Sequence, residues 1–338
     1  MEHRRGILFM LFLMISTVAF LFLIPMFPAP FLSSLWFVIF QQIIRFLVPL
    51  ALWLAFFKEK VNQHLPHMRL GTINIIYIIG LSLLLQPAMN VISGLTTIFF
   101  PNDMSEFVLE QMNQPYLLLI LAIAVTPAIC EEVIFRGYIQ STYKNKPLIT
   151  MMLINGLFFG IMHLNPHQFL YAFIMGIIFA YMVHATRSIR AGIISHFIIN
   201  ASQITLPWVL LRFAGLVEDA SEEFGIVNNI EPVDSIADFD FSQPEVIITF
   251  VILGIMAIGA TVCAVILFRE FAKHNQKRIM EYEMKIKKEV EEKTDVYNEE
   301  TPEIISPQSP EKKLKNLLID ISLILVIVAL YVILVIDI

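Results

Sequence analysis

The chain has 338 residues, 57% of them hydrophobic and only 15% charged, with a mean hydropathy of +0.73. Soluble domains are roughly 45–50% apolar and about 25% charged, so most soluble enzymes, DNA-binding modules and disordered chains are excluded and much of the surface must face lipid. The net charge of −6 and a pI near 5.8 also argue against a nucleic-acid partner, which favours a basic footprint.

A membrane-crossing helix takes about 20 mostly apolar residues. Nine runs qualify in chain order: Ile7–Phe27, Phe31–Phe57, Ile73–Phe100, Tyr116–Ile139, Leu148–His163, Phe169–His184, Ala191–Leu211, Val246–Phe268 and Leu317–Ile338. The fifth and sixth are short, so a tilted or re-entrant pair is an alternative for them. The expected fold is an all-α polytopic membrane bundle of eight or nine helices. The first run follows the basic start His3-Arg4-Arg5. Its apolar core of about 20 residues exceeds the 7–15 of a signal peptide, so it reads as a retained helix.

Charges between the runs set an expected orientation, because Lys and Arg accumulate in cytoplasmic loops. With the N-terminus inside, the inner loops carry Lys58, Lys60 and Arg69, then Lys144 and Lys146, then Arg187 and Arg190, then the mixed-charge stretch 269–315. The outer loops carry Asp103, Glu106 and Glu110, then the stretch 213–245, where Glu218, Asp219, Glu222, Glu223 and further acids stand without a Lys or Arg. That stretch reads as a solvated acidic loop. Within 269–315, residues 269–296 alternate Lys and Glu as a solvated helix leaving the membrane, and 297–311, with three prolines, read as a flexible linker. The expected organisation is N-terminal helices over 1–114, a core over 115–212, the acidic loop, a helix at 246–268, the charged segment and a last helix from 316. The expected location is the plasma membrane. Cys130 and Cys263 lie in apolar runs and form no disulfide framework; Cys130 reads as a packing residue.

Polar residues within apolar runs carry the information about function, since each charge at a helix centre costs about 2.5–3.5 kcal/mol on insertion scales. The fourth run holds Glu131, Glu132 and Arg136. Glu132 and Arg136 are four apart and can pair on one face, whereas Glu131 is rotated about 100° from its neighbour and points elsewhere. The fifth run ends at His163, and the seventh carries His196 and Asn200 on one face. If these faces converge, they enclose a wet pocket with a carboxylate and two imidazoles, a set able to activate water and stabilise an oxyanion. No His-Glu-x-x-His zinc motif, Gly-x-Ser-x-Gly elbow, P-loop or dinucleotide fingerprint occurs.

Glu131-Glu132-x-x-x-Arg136, Phe159-x-x-x-His163 and His196-x-x-x-Asn200 together resemble the three motifs of the CPBP family, the CAAX proteases and bacteriocin-processing (Abi) proteins related to type II CAAX prenyl endopeptidases. The resemblance covers roughly 115–212. It implies an intramembrane glutamate-dependent endopeptidase acting on membrane-associated or lipidated peptides. By that resemblance Glu131 activates water, His163 holds it, His196 and Asn200 polarise the scissile carbonyl, and Glu132 with Arg136 fix the glutamate helix. No cofactor is required by this reading. A zinc variant stays open, with Glu131, His163 and His196 as ligands and water in the fourth position, although Asn200 is a poor zinc ligand.

Blander readings stand beside these. Glu132–Arg136 serves equally as a packing pair, and a lone intramembrane His is usually a helix–helix hydrogen-bond partner. Buried Glu and His also mark ion paths, so a transporter, or a non-catalytic scaffold or immunity factor, is the alternative class. Arg45, mid-run beside Gln41 and Gln42, should face the bundle interior and meet a carboxylate or carbonyl. His167 reads as a surface loop residue and His184 as an interfacial anchor; His64, His67 and His274 fall in loops. Gly156 and Gly160 are spaced for close helix packing. On straight helices the depths disagree: Glu131 lies about 12 Å, His196 about 8 Å and His163 about 22 Å from the inner helix ends.

Overall fold

The computed structural model describes residues 2–223, 244–294 and 310–336. Ten helices carry the fold: α1 Glu2–Met26, α2 Leu35–Phe57, α3 Thr72–Thr97, α4 Asp103–Glu110, α5 Tyr116–Thr142, α6 Leu148–Met162, α7 Pro166–Thr186, α8 Ile189–Glu223, α9 Pro244–Thr294 and α10 Pro310–Ile336. Among the described residues there is no strand, only an isolated antiparallel bridge between His67 and Ser188. Eight of the helices are long and apolar enough to cross a membrane, and the protein is an integral membrane helix bundle. The fifth apolar run is the exception, a helix of 15 residues. The sixth is full length, at 21 residues.

Two sequence expectations shift. Helix α8 does not end near Leu211 but runs on to Glu223. The rest of the expected acidic loop, 224–243, lies outside the described residues, as does most of the expected linker, 295–309. Helix α9 joins the eighth run and the Lys/Glu-alternating segment into one helix of 51 residues.

One end of the bundle is fixed by polar contacts. His3 Nε2 and Arg4 Nε meet the Asp320 carboxylate at 2.7 and 2.8 Å, Lys144 Nζ lies 3.3 Å from Glu2, and Arg5 pairs with Glu59. The bridge at His67 and Ser188 is flanked by Met68 N–H donating to Arg187 O and Ile189 N–H donating to Pro66 O. Arg278 Nη1 donates to Thr186 O at 3.2 Å. These contacts gather Arg4, Arg5, Lys58, Lys60, Arg69, Lys144, Lys146, Arg187 and Arg190 at this basic end. At the far end, α4 lies beside the start of α5, and Arg212 is the one Lys or Arg among the described residues there.

Three helical stretches widen to π geometry: Ile43–Leu47, Ile120–Val125 and Val133–Ile139. The first two immediately precede Val48-Pro49 and Thr126-Pro127. Proline lacks an N–H and its ring crowds the preceding turn, so the turn opens rather than closing an ordinary i→i−4 bond. Opened turns free carbonyls, which in a bilayer need other partners. Asn200 Nδ2 donates to Ile123 O at 3.1 Å and Asn155 Nδ2 to Phe135 O at 2.7 Å.

Helices α6 and α7 cross at contact distance through glycine. A Cβ on Gly176 would lie 2.6 Å from Gly156 Cα, and one on Gly156 would lie 2.6 Å from Phe173 O. The Gly156/Gly160 spacing thus serves the close approach read from the sequence. Replacing Gly176 by Leu is expected to lower the unfolding temperature in detergent, an overpacking loss of about 1–3 kcal/mol. Ala at Gly254, where an added Cβ meets nothing within 4 Å, should leave it unchanged; equal thermal shifts for the two variants would contradict the crossing.

Candidate active site

Four helices bring the singled-out polar residues together. Glu131 on α5, His163 at the end of α6, and His196 and Asn200 on α8 all line one cavity of about 420 Å³, and Gln42 and Arg45 of α2 line it too. The cavity extends past Phe37 to Leu32 and to Met104 and Phe107 of α4, at the far end of the bundle. Toward the basic end it is closed by Ile134, Phe135, Arg136, Tyr138 and Ile139, none more than 1% exposed.

The depth conflict is resolved in two ways. Helix α5 runs to Thr142, three residues beyond the expected end, which raises Glu131 to about 16 Å above its last residue. Helical side chains also lean toward their own N-terminus. Helices α5 and α6 are antiparallel, so Glu131 leans toward the far end while His163 leans back. His163 Nδ1 lies 2.8 Å from Phe159 O, one turn earlier.

That contact fixes a tautomer. A carbonyl only accepts, so His163 Nδ1 carries the proton and Nε2 is left as the second ring nitrogen. Leu164, directly after it, adopts left-handed backbone with φ 50° and ends α6 there. A non-glycine residue in that region is uncommon and is held by its surroundings.

Glu131 is 7% exposed; its Oε1 accepts from Gln42 Nε2 at 3.3 Å, and its Oε2 lies 3.9 Å from His196 Nε2. Arg45 Nη2 donates to Met162 O at 3.3 Å, tying α2 to the residue before His163. Its partner is a carbonyl, one of the two partners the sequence allowed.

Glu132 faces away from the cavity. Its Oε1 accepts from Arg136 Nη1 at 2.7 Å and from His196 Nδ1 at 3.1 Å. Arg136 Nη2 also donates to Gly176 O at 3.3 Å, and the guanidinium lies 4.3 Å from the Phe159 ring centre and 5.0 Å from that of Phe179. The His196 ring stacks on Phe179 at 5.4 Å and meets Phe159 edge-on at 5.7 Å. Arg136, Glu132 and His196 therefore form a chain ending at the imidazole: the carboxylate holds Nδ1 and turns Nε2 toward Glu131. Sequence spacing finds the Glu132–Arg136 pair but not its third member, 64 residues away. Gly192 makes room for it, since a Cβ there would lie 2.2 Å from Glu132 Oε2.

Asn200 spends one amide N–H on Ile123 O, the carbonyl in the π stretch of α5. The other N–H stays available to the cavity.

His167 is a correction. It is 2% exposed and lies in the first turn of α7, not in a surface loop. Asn165 caps that helix, its Oδ1 accepting the Gln168 N–H at 3.2 Å, and Pro166 sits at the first helical position. Asn-Pro is a helix start, a signal available in the sequence. His167 Nε2 lies 3.0 Å from Thr97 Oγ1 and 3.2 Å from Ser93 O. Gln168 and Tyr171 of the same helix line the cavity and were not singled out by sequence.

Among the described residues, no three His, Cys, Asp or Glu side chains are grouped so as to hold a metal ion.

Residues 113–202 match the family model described as type II CAAX prenyl endopeptidase Rce1-like. The match spans all three motifs and agrees with the resemblance they carry. No curated protein and no solved structure matches the chain.

The two neighbouring glutamates should separate in stability measurements. Glu132→Gln leaves the Arg136 cation buried without its carboxylate, a loss of about 3–5 kcal/mol by analogy with broken buried pairs. Glu131→Gln keeps an acceptor for Gln42 and should unfold in detergent within a few degrees of the parent. A Glu132→Gln protein as heat-stable as the parent would show that the chain of three does not support the fold.

Proposed function

We propose that the protein is an intramembrane endopeptidase that hydrolyses peptide bonds of membrane-associated or lipidated peptides with a water activated by Glu131. The observation that carries this reading is the convergence of Glu131, His163, His196 and Asn200 on one cavity, within the segment that matches an endopeptidase family.

In this mechanism the water sits between the Glu131 carboxylate and His163 Nε2. Glu131 removes a proton as the water oxygen attacks the scissile carbonyl carbon. His163, held by Phe159 O, accepts the second water hydrogen and aims the lone pair. The oxyanion of the tetrahedral intermediate meets His196 Nε2–H and the free N–H of Asn200. Glu132 holds His196 Nδ1–H and stabilises the imidazolium, the part a carboxylate plays behind a catalytic histidine elsewhere. The carbon–nitrogen bond then breaks, and the proton on Glu131 passes to the leaving amine. No step is routed through a metal, which accords with the carboxamide at Asn200, a poor zinc ligand.

The apolar walls suit this chemistry. Phe135, Phe159 and Phe179 line the cavity beside its polar groups, and apolar walls lower the local dielectric, so fixed dipoles act more strongly on developing charge. The orientation follows from charge. With Lys and Arg gathered at one end, the basic end faces the cytoplasm, the N-terminus lies inside, and the cavity opens toward the opposite face of a plasma membrane.

Four results are expected. Glu131→Gln should reduce cleavage by about 10²–10⁴-fold, as for loss of a general base, and Asn200→Ala by about 10²–10³-fold in kcat, as for loss of an oxyanion donor, while cleavage by the parent persists in chelator. Glu131-dependent ion flux in reconstituted vesicles, without proteolysis, would favour a transporter instead. For orientation, a membrane-impermeant thiol reagent on right-side-out vesicles should label Glu110→Cys and reach Lys58→Cys only after permeabilisation; the reverse pattern would invert the topology.

A further inference from the structure

A second cavity, of about 630 Å³, adjoins the first, and Met104, Gln168, Tyr171 and Gln203 line both. It lies between the later halves of α3 and α8, under α4. Asn90 and Ser93 of α3 face Gln203 of α8 across it, and Gln86 bridges the two helices, its Nε2 donating to Ser202 Oγ and, at 3.4 Å, to Ile199 O. None of its described lining residues is Asp, Glu, Lys or Arg.

This polarity is unusual for its place. Asn90 and Gln203 are exposed on helices long and apolar enough to cross a membrane, where uncharged amides gain nothing from lipid. They are suited to a guest that needs hydrogen bonds. A peptide bond reached by the Glu131 water has to belong to an unwound chain, because a helix engages its own carbonyls. Each unwound residue presents one N–H and one C=O that the bilayer cannot satisfy. Side-chain amides both donate and accept, so Asn90 and Gln203 can serve either group, while Gln86, its amide nitrogen engaged by Ser202 and Ile199, can accept through Oε1.

We infer that this second cavity is a substrate subsite, holding an unwound, uncharged stretch of peptide next to the scissile bond. The inference rests on the endopeptidase reading above. The uncharged character of the described lining sets the specificity: a Lys or Asp side chain brought against it would lose its water and meet no counter-ion there, whereas Gly, Ser, Thr, Asn or Gln would not. The shared wall of Gln168, Tyr171 and Gln203 carries the bound stretch from this cavity to Glu131.

The test uses the full chain in liposomes and a pool of lipid-anchored fluorogenic peptides differing at one position beside the cleaved bond, Ser, Asn, Asp or Lys. The parent is expected to favour the Ser and Asn peptides by about tenfold or more in kcat/KM, the size of effect expected from one unpaired group in a binding site. Asn90→Lys should improve the Asp peptide relative to the Lys peptide, and Asn90→Asp should do the opposite, each mainly through KM. In the Glu131→Gln background a photo-crosslinking residue at Asn90 should capture the Ser peptide, and one at Ile76, on a lipid-facing part of the same helix, should not. Cleavage by the parent with no capture at Asn90 and no change of preference in either variant would overturn the subsite while leaving the endopeptidase reading intact. Capture at Asn90 by a parent that cleaves no peptide of the pool would overturn the endopeptidase reading, and with it the cavity's role as a protease subsite.

Discussion

A guanidinium at membrane depth has to bring its counter-charge with it, and the arrangement around Arg136 follows from that requirement. Its partner Glu132 sits one turn earlier on the same helix at 2.7 Å, and both side chains are fully buried. Desolvating two ions costs several kcal/mol each, offset only when the geometry is good and the remaining hydrogen bonds are met. Here Gly176 O and the rings of Phe159 and Phe179 meet part of Arg136 and His196 shares one carboxylate oxygen, while Glu132 Oε2 and Arg136 Nε have no hydrogen-bond partner among the described residues. The pair that makes the helix tolerable in lipid is also what orients an imidazole of the candidate site, so stability and chemistry use the same carboxylate.

The backbone around this centre departs from regular helix where the site needs room. Two of the three π stretches lie directly ahead of a proline; Asn200 meets a carbonyl of the second stretch, Ile123 O, and Asn155 one of the third, Phe135 O. Asn200 thus has two tasks, one amide hydrogen closing the opened turn of α5 and the other left for the cavity. π-bulges recur at functional sites because they re-aim side chains without ending a helix. Arg45 sits inside one such stretch and Glu131 between the other two. The glycine crossing of α6 and α7 completes the frame: it brings His163 and the start of α7 against the same cavity.

The polar residues that proved close in space were legible because each stood out against an apolar background. Glu131, Glu132, Arg136, His163, His196, Asn200 and Arg45 are conspicuous for the same reason, the expense of burying them in lipid. Gln86, Asn90, Gln168 and Gln203 were less visible, since an uncharged amide in an apolar run is common and its role depends on what faces it. Asn165-Pro166 starts a helix rather than a loop, and that start buries His167. The link from Glu132 to His196 was out of reach, because nothing in local spacing relates residues 64 positions apart.

By itself the sequence determined that the chain lives in a membrane as a helical bundle, where most of its crossings lie, and which few polar side chains lipid would not tolerate without purpose. Those properties depend on composition and on short-range periodicity, which are local. Only the tertiary structure decided that Glu131, His163, His196 and Asn200 meet at one cavity, that Arg45 reaches the carbonyl beside His163, that Glu132 joins Arg136 to His196, and that a second cavity, uncharged among its described lining residues, adjoins the first. These depend on helix length, on opened turns and on the depth at which antiparallel helices lean their side chains. Small shifts in any of them move a group by a full turn, and the neighbours across the bundle fix them.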